Sequence, residues 1–545
     1  MRMKLWSLLP MIAVLGIGGD PSFAQSQGPD VIVGDLHNAQ SYQPAEGGIT
    51  AFAVGTFSCN IGNQPLRWQA NNNQHPVIGQ NAFRLKNGRF EQIGMSWLKH
   101  GFYALSLNLC GTCPVPSDGT QLNPGCADPY DAGLNGSQFG LGPRFEVNAA
   151  TGYFPYPPTN PAYSGTIARR LQIRNVDIDP AQNQGALYFV DGQYVSPDDA
   201  AAGNKNNNAS YRPCTFSNVG GQFFLNLAGS TQRTRPAIMA WQDTDPTVQL
   251  RYIDIAGDGR MILAWKATEL GGGQYHYEYA FQNLNSDRCA QSFTVQFPTT
   301  ASVSNIGFHD VDHHSSEPLS GTDWVYSTVF PGYLTWSTQT YAQNPNANAL
   351  RWGTLFNFRF DSDARPETVS TVQIGLFKPG MPTSLTVAAS MANLGAPGTG
   401  SVGADIVKLN TSAGGAWRRV DVAPNQPITL TIESPPGFPG VQGATLFGIV
   451  GVPAISEAQP LGNLGTMAFR PCPVAPNPLS FTFMDFLNIG GCGAFFTGSA
   501  LPWTVTHAPG LPDGAFLTLQ GVVTSPVAPF LRVTNGVILR VSSNL

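Results

Sequence analysis

The chain has 545 residues, of which 42% are hydrophobic, 11% aromatic and only 12% Asp, Glu, Lys or Arg. That balance excludes disorder, which needs few apolar and many charged residues, and a net charge of −5 excludes the dense basic footprint of a nucleic-acid binder. The 60 glycines and 44 prolines exclude a fold of long helices, because an interior proline removes a backbone donor and clashes with the preceding turn.

In chain order, Arg2 and Lys4 precede the apolar run Leu5 to Gly18, and Ser22-Phe23-Ala24 has the small-x-small form of a cleavage site. Residues 1–24 read as an export signal, since the run is short against the ~20 residues that span a bilayer. No later run is long and apolar enough to span, so a secreted product, extracellular or periplasmic, is expected. Eight cysteines form an even set, as in oxidising compartments. The expected pairings are local: Cys59, Cys110, Cys113 and Cys126 among themselves, Cys214 with Cys289, and Cys472 with Cys492. Cys110-Gly-Thr-Cys113 lacks the second CxxC of a zinc site and the βαβ context of a redox motif.

Short alternating runs between Gly, Pro, Asn and Asp predict an all-β chain of several antiparallel sandwich-like domains with long loops and disulfides. Residues 25–245 read as a loop-rich β domain. It holds a histidine group, His37, His75 and His100, accompanied by Glu91 and Lys99. His75 precedes Pro76, which favours an extended or turn segment. The proline-stiffened stretch Tyr153-Phe-Pro-Tyr-Pro-Pro-Thr-Asn-Pro-Ala-Tyr163 offers Tyr153, Phe154, Tyr156 and Tyr163 for stacking on a sugar ring. An Asn-rich run, Asn204 to Asn208, follows Asp198-Asp199, which together with Asp128 and Asp131 offers surface oxygens for calcium.

Residues 246–380 read as a central antiparallel domain. Val248, Leu250 and Tyr252 alternate into the turn Ala256 to Arg260, and Met261 to Ala267 runs back, which predicts a hairpin. In the strand Tyr275 to Phe281, the residues Tyr275, Tyr277, Tyr279 and Phe281 share one face and His276 and Glu278 the other. Downstream, Phe308-His-Asp-Val-Asp-His-His-Ser-Ser-Glu317 packs three of the chain's eight histidines beside three carboxylates. His309, Asp310, Asp312, His313 and His314, with His276 from a neighbouring strand, make a candidate metal set. Imidazole suits copper, zinc or iron, and carboxylates alone suit calcium, although no established spacing such as HExxH is present. Trp324 and Trp336 lie close by in sequence as further stacking candidates. The loop at Asp254 to Gly259 echoes a calcium loop but has Trp265 where a bidentate Glu should stand. Residues 381–545 read as one or two sandwich modules, with an Asn535-Gly536 turn signal between β-prone runs.

Two segments, Asn87 to Phe102 and Tyr277 to Arg288, resemble stretches of a group of large, uncharacterised secreted bacterial β-rich proteins. The resemblance implies export and β-structure and transfers no catalytic residue. There is no Gly-x-Ser-x-Gly elbow and no phosphate-cradling GxxxxGK[ST] loop, while a glycosidase's paired acids leave no local motif. The function expected is binding of an extracellular glycan or cell-surface partner. The alternatives are a metal-dependent extracellular enzyme working through His309 to His314, and a structural surface or adhesive protein.

Overall fold

A computed structural model describes residues 26–388, apart from 116, 315, 367, 368 and 370, and beyond them a set of strand backbones between 407 and 541. The expected signal segment and the Cys472–Cys492 pairing lie outside the described residues. Strands dominate, as the alternation predicts, and the sheets are antiparallel apart from one parallel pair, Trp417–Val422 on Leu531–Val541. Among the described residues no helix is long and apolar enough to cross a membrane.

The first sheet takes its main strands from β1 (Val31–Glu46), β2 (Ile49–Asn60), β3 (Val77–Lys86), β4 (Arg89–Met95), β5 (Leu171–Arg174), β6 (Leu187–Val195), β7 (Ala209–Val219) and β8 (Gln222–Leu227). Their order is β1-β2-β5-β4-β3-β6-β7-β8. The sheet curls about a core that includes Val33, Phe52, Val54, Ile78, Val190 and Phe216, so its two ends meet. Ser41 Oγ accepts the Leu225 N–H (3.1 Å), and Gln43 Nε2 donates to the Phe223 carbonyl (3.3 Å), joining β1 to β8 through side chains.

Two five-stranded sheets follow. One runs β9 (Gln249–Asp254), β10 (Arg260–Gly271), β11 (Gln274–Asn283), β16 (Thr354–Ser362), β13 (Val303–His309). The other runs β14 (Val325–Ser327), β15 (Tyr333–Ser337), β12 (Ala290–Gln296), β17 (Thr371–Leu376), β18 (Ser384–Ala388). The predicted hairpin is β9–β10. The face carrying Tyr277, Tyr279 and Phe281 is buried against Phe293, Trp336 and Ile374 of the opposing sheet, which makes a sandwich. Near the β9–β10 turn, the other face of the middle sheet is also apolar. Ile262, Ala264 and Ala280 pack with Phe83, Phe90 and Trp241, so Met261 to Trp265 is buried at every position, as in a strand covered on both sides. The three sheets therefore stack as layers.

Two disulfides close within the first four cysteines, Cys59–Cys110 and Cys113–Cys126. The expected Cys214–Cys289 bridge does not form: both are buried and, among the described residues, unpaired, Cys214 in the core of the first sheet and Cys289 in a small cluster with Ala347 and Phe377. The Asn535-Gly536 hairpin is also absent. Leu531–Val541 is one strand, and its pairing with Phe516–Thr524 slips between Gln520↔Gly536 and Val522↔Val533, so the Asn-Gly step falls at a bulge.

Candidate functional site

The polar segment from His309 to Glu317 leaves the end of β13 and crosses between the first sheet and the sandwich, and its side chains go to separate partners. His309 Nε2 lies 3.3 Å from Glu91 Oε2 on β4, and burial lowers its pKa. Asn348 links two others: its Nδ2 donates to Asp310 Oδ2, and its Oδ1 accepts from His313 Nε2 (3.0 Å). Burial holds Asp310 up at about 6 and His313 down at about 4, so at neutral pH the imidazole is uncharged and donates through Nε2. Asp312 pairs with Arg174 in solvent. His314 Nε2 reaches the Arg170 carbonyl (2.8 Å), with its ring near Trp97.

His276 goes elsewhere, bonding Asp361 through Nδ1 and Glu278 through Nε2 (3.3 Å); Glu278 is the main cause of its raised pKa. The structure does not gather His309, Asp310, Asp312, His313, His314 and His276 round one point. Among the described residues, no three side chains from His, Cys, Asp and Glu are grouped to hold a metal ion. An alternating segment sends neighbours in opposite directions, and here each direction meets a different layer.

The second histidine group is brought together in part. His75 Nδ1 bonds the Gln69 carbonyl (2.9 Å), and its Nε2 bonds His100 Nδ1 (3.0 Å). Burial pushes His100 down to about 3 and lowers His75. His37 instead packs its ring on Phe57. Phe154, expected to stack on a ligand, is buried against both His75 and His100. Trp324 and Trp336 are likewise core side chains: Trp324 packs on Phe356 and Phe358, and Trp336 on Phe358. Tyr153, Tyr156 and Tyr163 stay exposed, Tyr163 lying over the Arg169 guanidinium.

The segment flanks two clefts. The smaller takes Val311, Asp312 and His314 with Ile49, Ile93 and Arg174. The larger brings His313 and Glu317 together with Arg144, Arg351, Lys378 and Asp287, beside an apolar wall that includes Phe145 and Trp352. Arg144 is buried, which pulls its pKa to about 10. Its Nε donates to the Ser96 carbonyl (2.6 Å) and its Nη2 to the Gln80 carbonyl (2.8 Å), while Nη1 is buried with no partner among the described residues. The guanidinium lies over the Trp352 ring at 5.6 Å. Gly353, at φ +74°, makes room for it, since a Cβ there would stand 2.4 Å from Nη1. Arg351 gives Nη2 to the Pro345 and Ala347 carbonyls and leaves Nε buried without a partner among the described residues. Glu317 Oε1 accepts the Arg144 backbone N–H (3.0 Å), and burial pushes its carboxyl up to about 7. Phe145 is 42% exposed. Val147 and Trp352 share a cluster with Phe154, so the loop displaying Tyr153 and Tyr156 is anchored on the cleft's own wall.

Arg144, Phe145, Arg351, Trp352 and Lys378 were invisible to motif reading, because the first two lie about 200 residues before the other three and no common spacing links them. Gly353, following Trp352 where a guanidinium needs space, was the one local trace.

No protein-family model and no curated protein matches the chain. Among solved structures it is similar to a Salmonella alpha-2-macroglobulin, at 10% identity and a TM-score of 0.25 over 95% of this chain and 33% of that one. This chain thus spans about a third of the macroglobulin's length. It is also similar to the B domain of a biofilm associated protein, at 11% identity and a TM-score of 0.15 over 51% of this chain and 84% of that one. A partial N-terminal region of an enterococcal surface protein aligns at 9% identity and a TM-score of 0.14, over 69% of this chain and 97% of that one. Scores this low identify no shared fold.

Proposed function

We propose that the chain is an exported β-protein that binds an extracellular glycan, with an acidic sugar seated in the larger cleft. The observation that carries this reading is the gathering of Arg144, Arg351 and Lys378 beside the aromatic walls Phe145 and Trp352. A sugar carboxylate would accept from the cationic side, where charge-assisted bonds are strongest, and the ring faces would cover the sugar's apolar side. The exposed Tyr153 and Tyr156 extend the aromatic surface away from the cleft. Export after cleavage near residue 24 and division into modules at 25–245, 246–380 and 381–545 belong to the same proposal.

A glycan array that sets uronate- and sialate-bearing oligosaccharides beside their neutral counterparts tests it. Preferential binding of the acidic members, weakened at least tenfold by Arg351→Gln and less by Tyr153→Ala with Tyr156→Ala, is expected. No binding, or acidic binding indifferent to Arg351→Gln, refutes it.

A further inference from the structure

Just ahead of β1 two aspartates are buried side by side, with no cation paired to either among the described residues. Asp30, and Asp199 in the first turn of the short helix Pro197–Ala202, are each 0% exposed, and no lysine, arginine or histidine appears among the groups that set their charge. Two asparagines of the Asn204 to Asn208 run hold them. Asn207 Nδ2 donates to Asp30 Oδ2 (3.2 Å), and Asn208 Nδ2 to Asp199 Oδ2 (2.8 Å). The Val31 N–H donates to Asp199 Oδ1 (3.0 Å), which ties the residue next to Asp30 onto the second carboxylate.

The side-chain atoms these four residues leave over are all acceptors. Among the described residues, Asp30 Oδ1, Asn207 Oδ1 and Asn208 Oδ1 are buried with no partner at hydrogen-bond distance, although burial raises the Asp30 pKa and the Ser26 side chain is close enough to lower it somewhat. For Asn208 the amide orientation is fixed, because its Nδ2 also donates to the Tyr194 carbonyl (3.2 Å), so a flip would set oxygen against oxygen. Buried carboxylates are ordinarily paired or bound to a metal, and orphan buried acceptors call for a donor, a water or an ion. Burial pushes Asp199 up to about 7, and the charge of Asp30 nearby adds to the rise.

We propose that Asp30, Asp199, Asn207 and Asn208 hold a calcium ion. The donor set is all oxygen, with carboxylates and amide carbonyls and neither imidazole nor thiolate, which suits a hard cation. Calcium tolerates irregular shells of six to eight oxygens, whereas magnesium requires a near-ideal octahedron and keeps its waters. The ion would fasten the start of β1 to the helix and the Asn run. That run also reaches the sandwich, since Asn285 Nδ2 donates to the Lys205 carbonyl (2.9 Å) and Asn206 Oδ1 (3.0 Å). Calcium would therefore brace the contact between the first two layers.

The full chain, stripped with EDTA and dialysed, is titrated with calcium chloride and separately with magnesium chloride by calorimetry, and its thermal unfolding is followed with and without each ion. One calcium per chain is expected, with a rise in Tm that EDTA reverses and a weaker response to magnesium. Asn208→Ala and Asp199→Asn should each weaken calcium binding at least tenfold, and Asp254→Asn, an exposed carboxylate paired with Arg260, should leave it unchanged. If Asp199→Asn fails to fold, Asn208→Ala and the unaltered protein decide. No heat and no Tm change at millimolar calcium overturns the proposal, as does binding untouched by Asn208→Ala. Magnesium binding as tightly as calcium overturns the choice of ion.

Discussion

Glu317 makes the chemistry of the larger cleft measurable as stability against pH. Its carboxyl accepts the Arg144 backbone N–H, yet burial outweighs the attraction of Arg144 and Arg351 and raises it from an ordinary 4.5 to about 7. The unfolded chain releases this proton near 4.5, while the folded chain keeps it until about 7. Between those values the folded state binds more protons, so stability falls as pH rises. At about 1.4 kcal/mol for each pH unit, the full interval corresponds to about 3.5 kcal/mol. Glu317→Gln keeps an acceptor oxygen for Arg144 and removes the titration. Urea unfolding of both proteins at pH 5 and pH 7.5 should show the native protein losing about 2.4 kcal/mol relative to the variant, or about 0.8 M in midpoint at an m-value near 3 kcal/mol/M. Asp199 and Asp310 are also raised, to about 7 and about 6, but both proteins carry them and the difference cancels their effect. A gap between the two proteins that stays constant with pH refutes the assignment of a half-buried, protonated Glu317.

Arg89 Nε and Nη2 grip Glu278 through both carboxylate oxygens, at 2.9 and 3.1 Å, joining the first sheet to the sandwich. Arg89→Ala should cost about 3 kcal/mol in urea unfolding by stranding a buried carboxylate, and adding Glu278→Gln should recover part of it; losses that simply add would refute the coupling. Cys214 and Cys289 are buried thiols raised well above their ordinary range, Cys289 to about 11. Peptide mapping after iodoacetamide treatment should find both unmodified in the native protein and alkylated in concentrated guanidinium chloride, and native labelling of either would contradict the packing around it.

The strands were legible because burial on one face imposes a period of two. Tyr275 to Phe281 shows it most plainly, with rings facing the sandwich and His276 and Glu278 facing the ionic side. Local cysteine pairing was legible for the same kind of reason: Cys113 and Cys126 lie close in sequence, and loop closure over a short span is easy. Cys214 and Cys289 were misleading because proximity along the chain says nothing of layers, and these two belong to different bodies. The histidine segment misled in another way. Its density suggested convergence, but a segment crossing between sheets spends its side chains on whichever sheet each one faces. Trp324 and Trp336 read as ligand platforms only while the second face of their sheets was unknown. Once a sandwich encloses them, large aromatic area belongs inside.

The layered arrangement also ties binding to the docking of the layers. Arg144 and Phe145 come from a loop of the first body, whereas His313, Glu317, Arg351 and Lys378 come from the sandwich. Directional bonds that hold the two sides together include Glu317 on the Arg144 N–H, Glu278 on Arg89, Glu91 beside His309, and Gln92 Nε2 donating to the Gly353 carbonyl at 3.2 Å. A ligand spanning both walls binds only the docked arrangement, so it stabilises docking in proportion to its affinity, and by reciprocity whatever loosens docking weakens the ligand. Arg89→Ala lies outside the cleft and touches none of its walls. Its loss of stability should therefore carry a loss of glycan affinity that Glu278→Gln partly restores, whereas a cleft formed by one body alone would bind equally well in both variants.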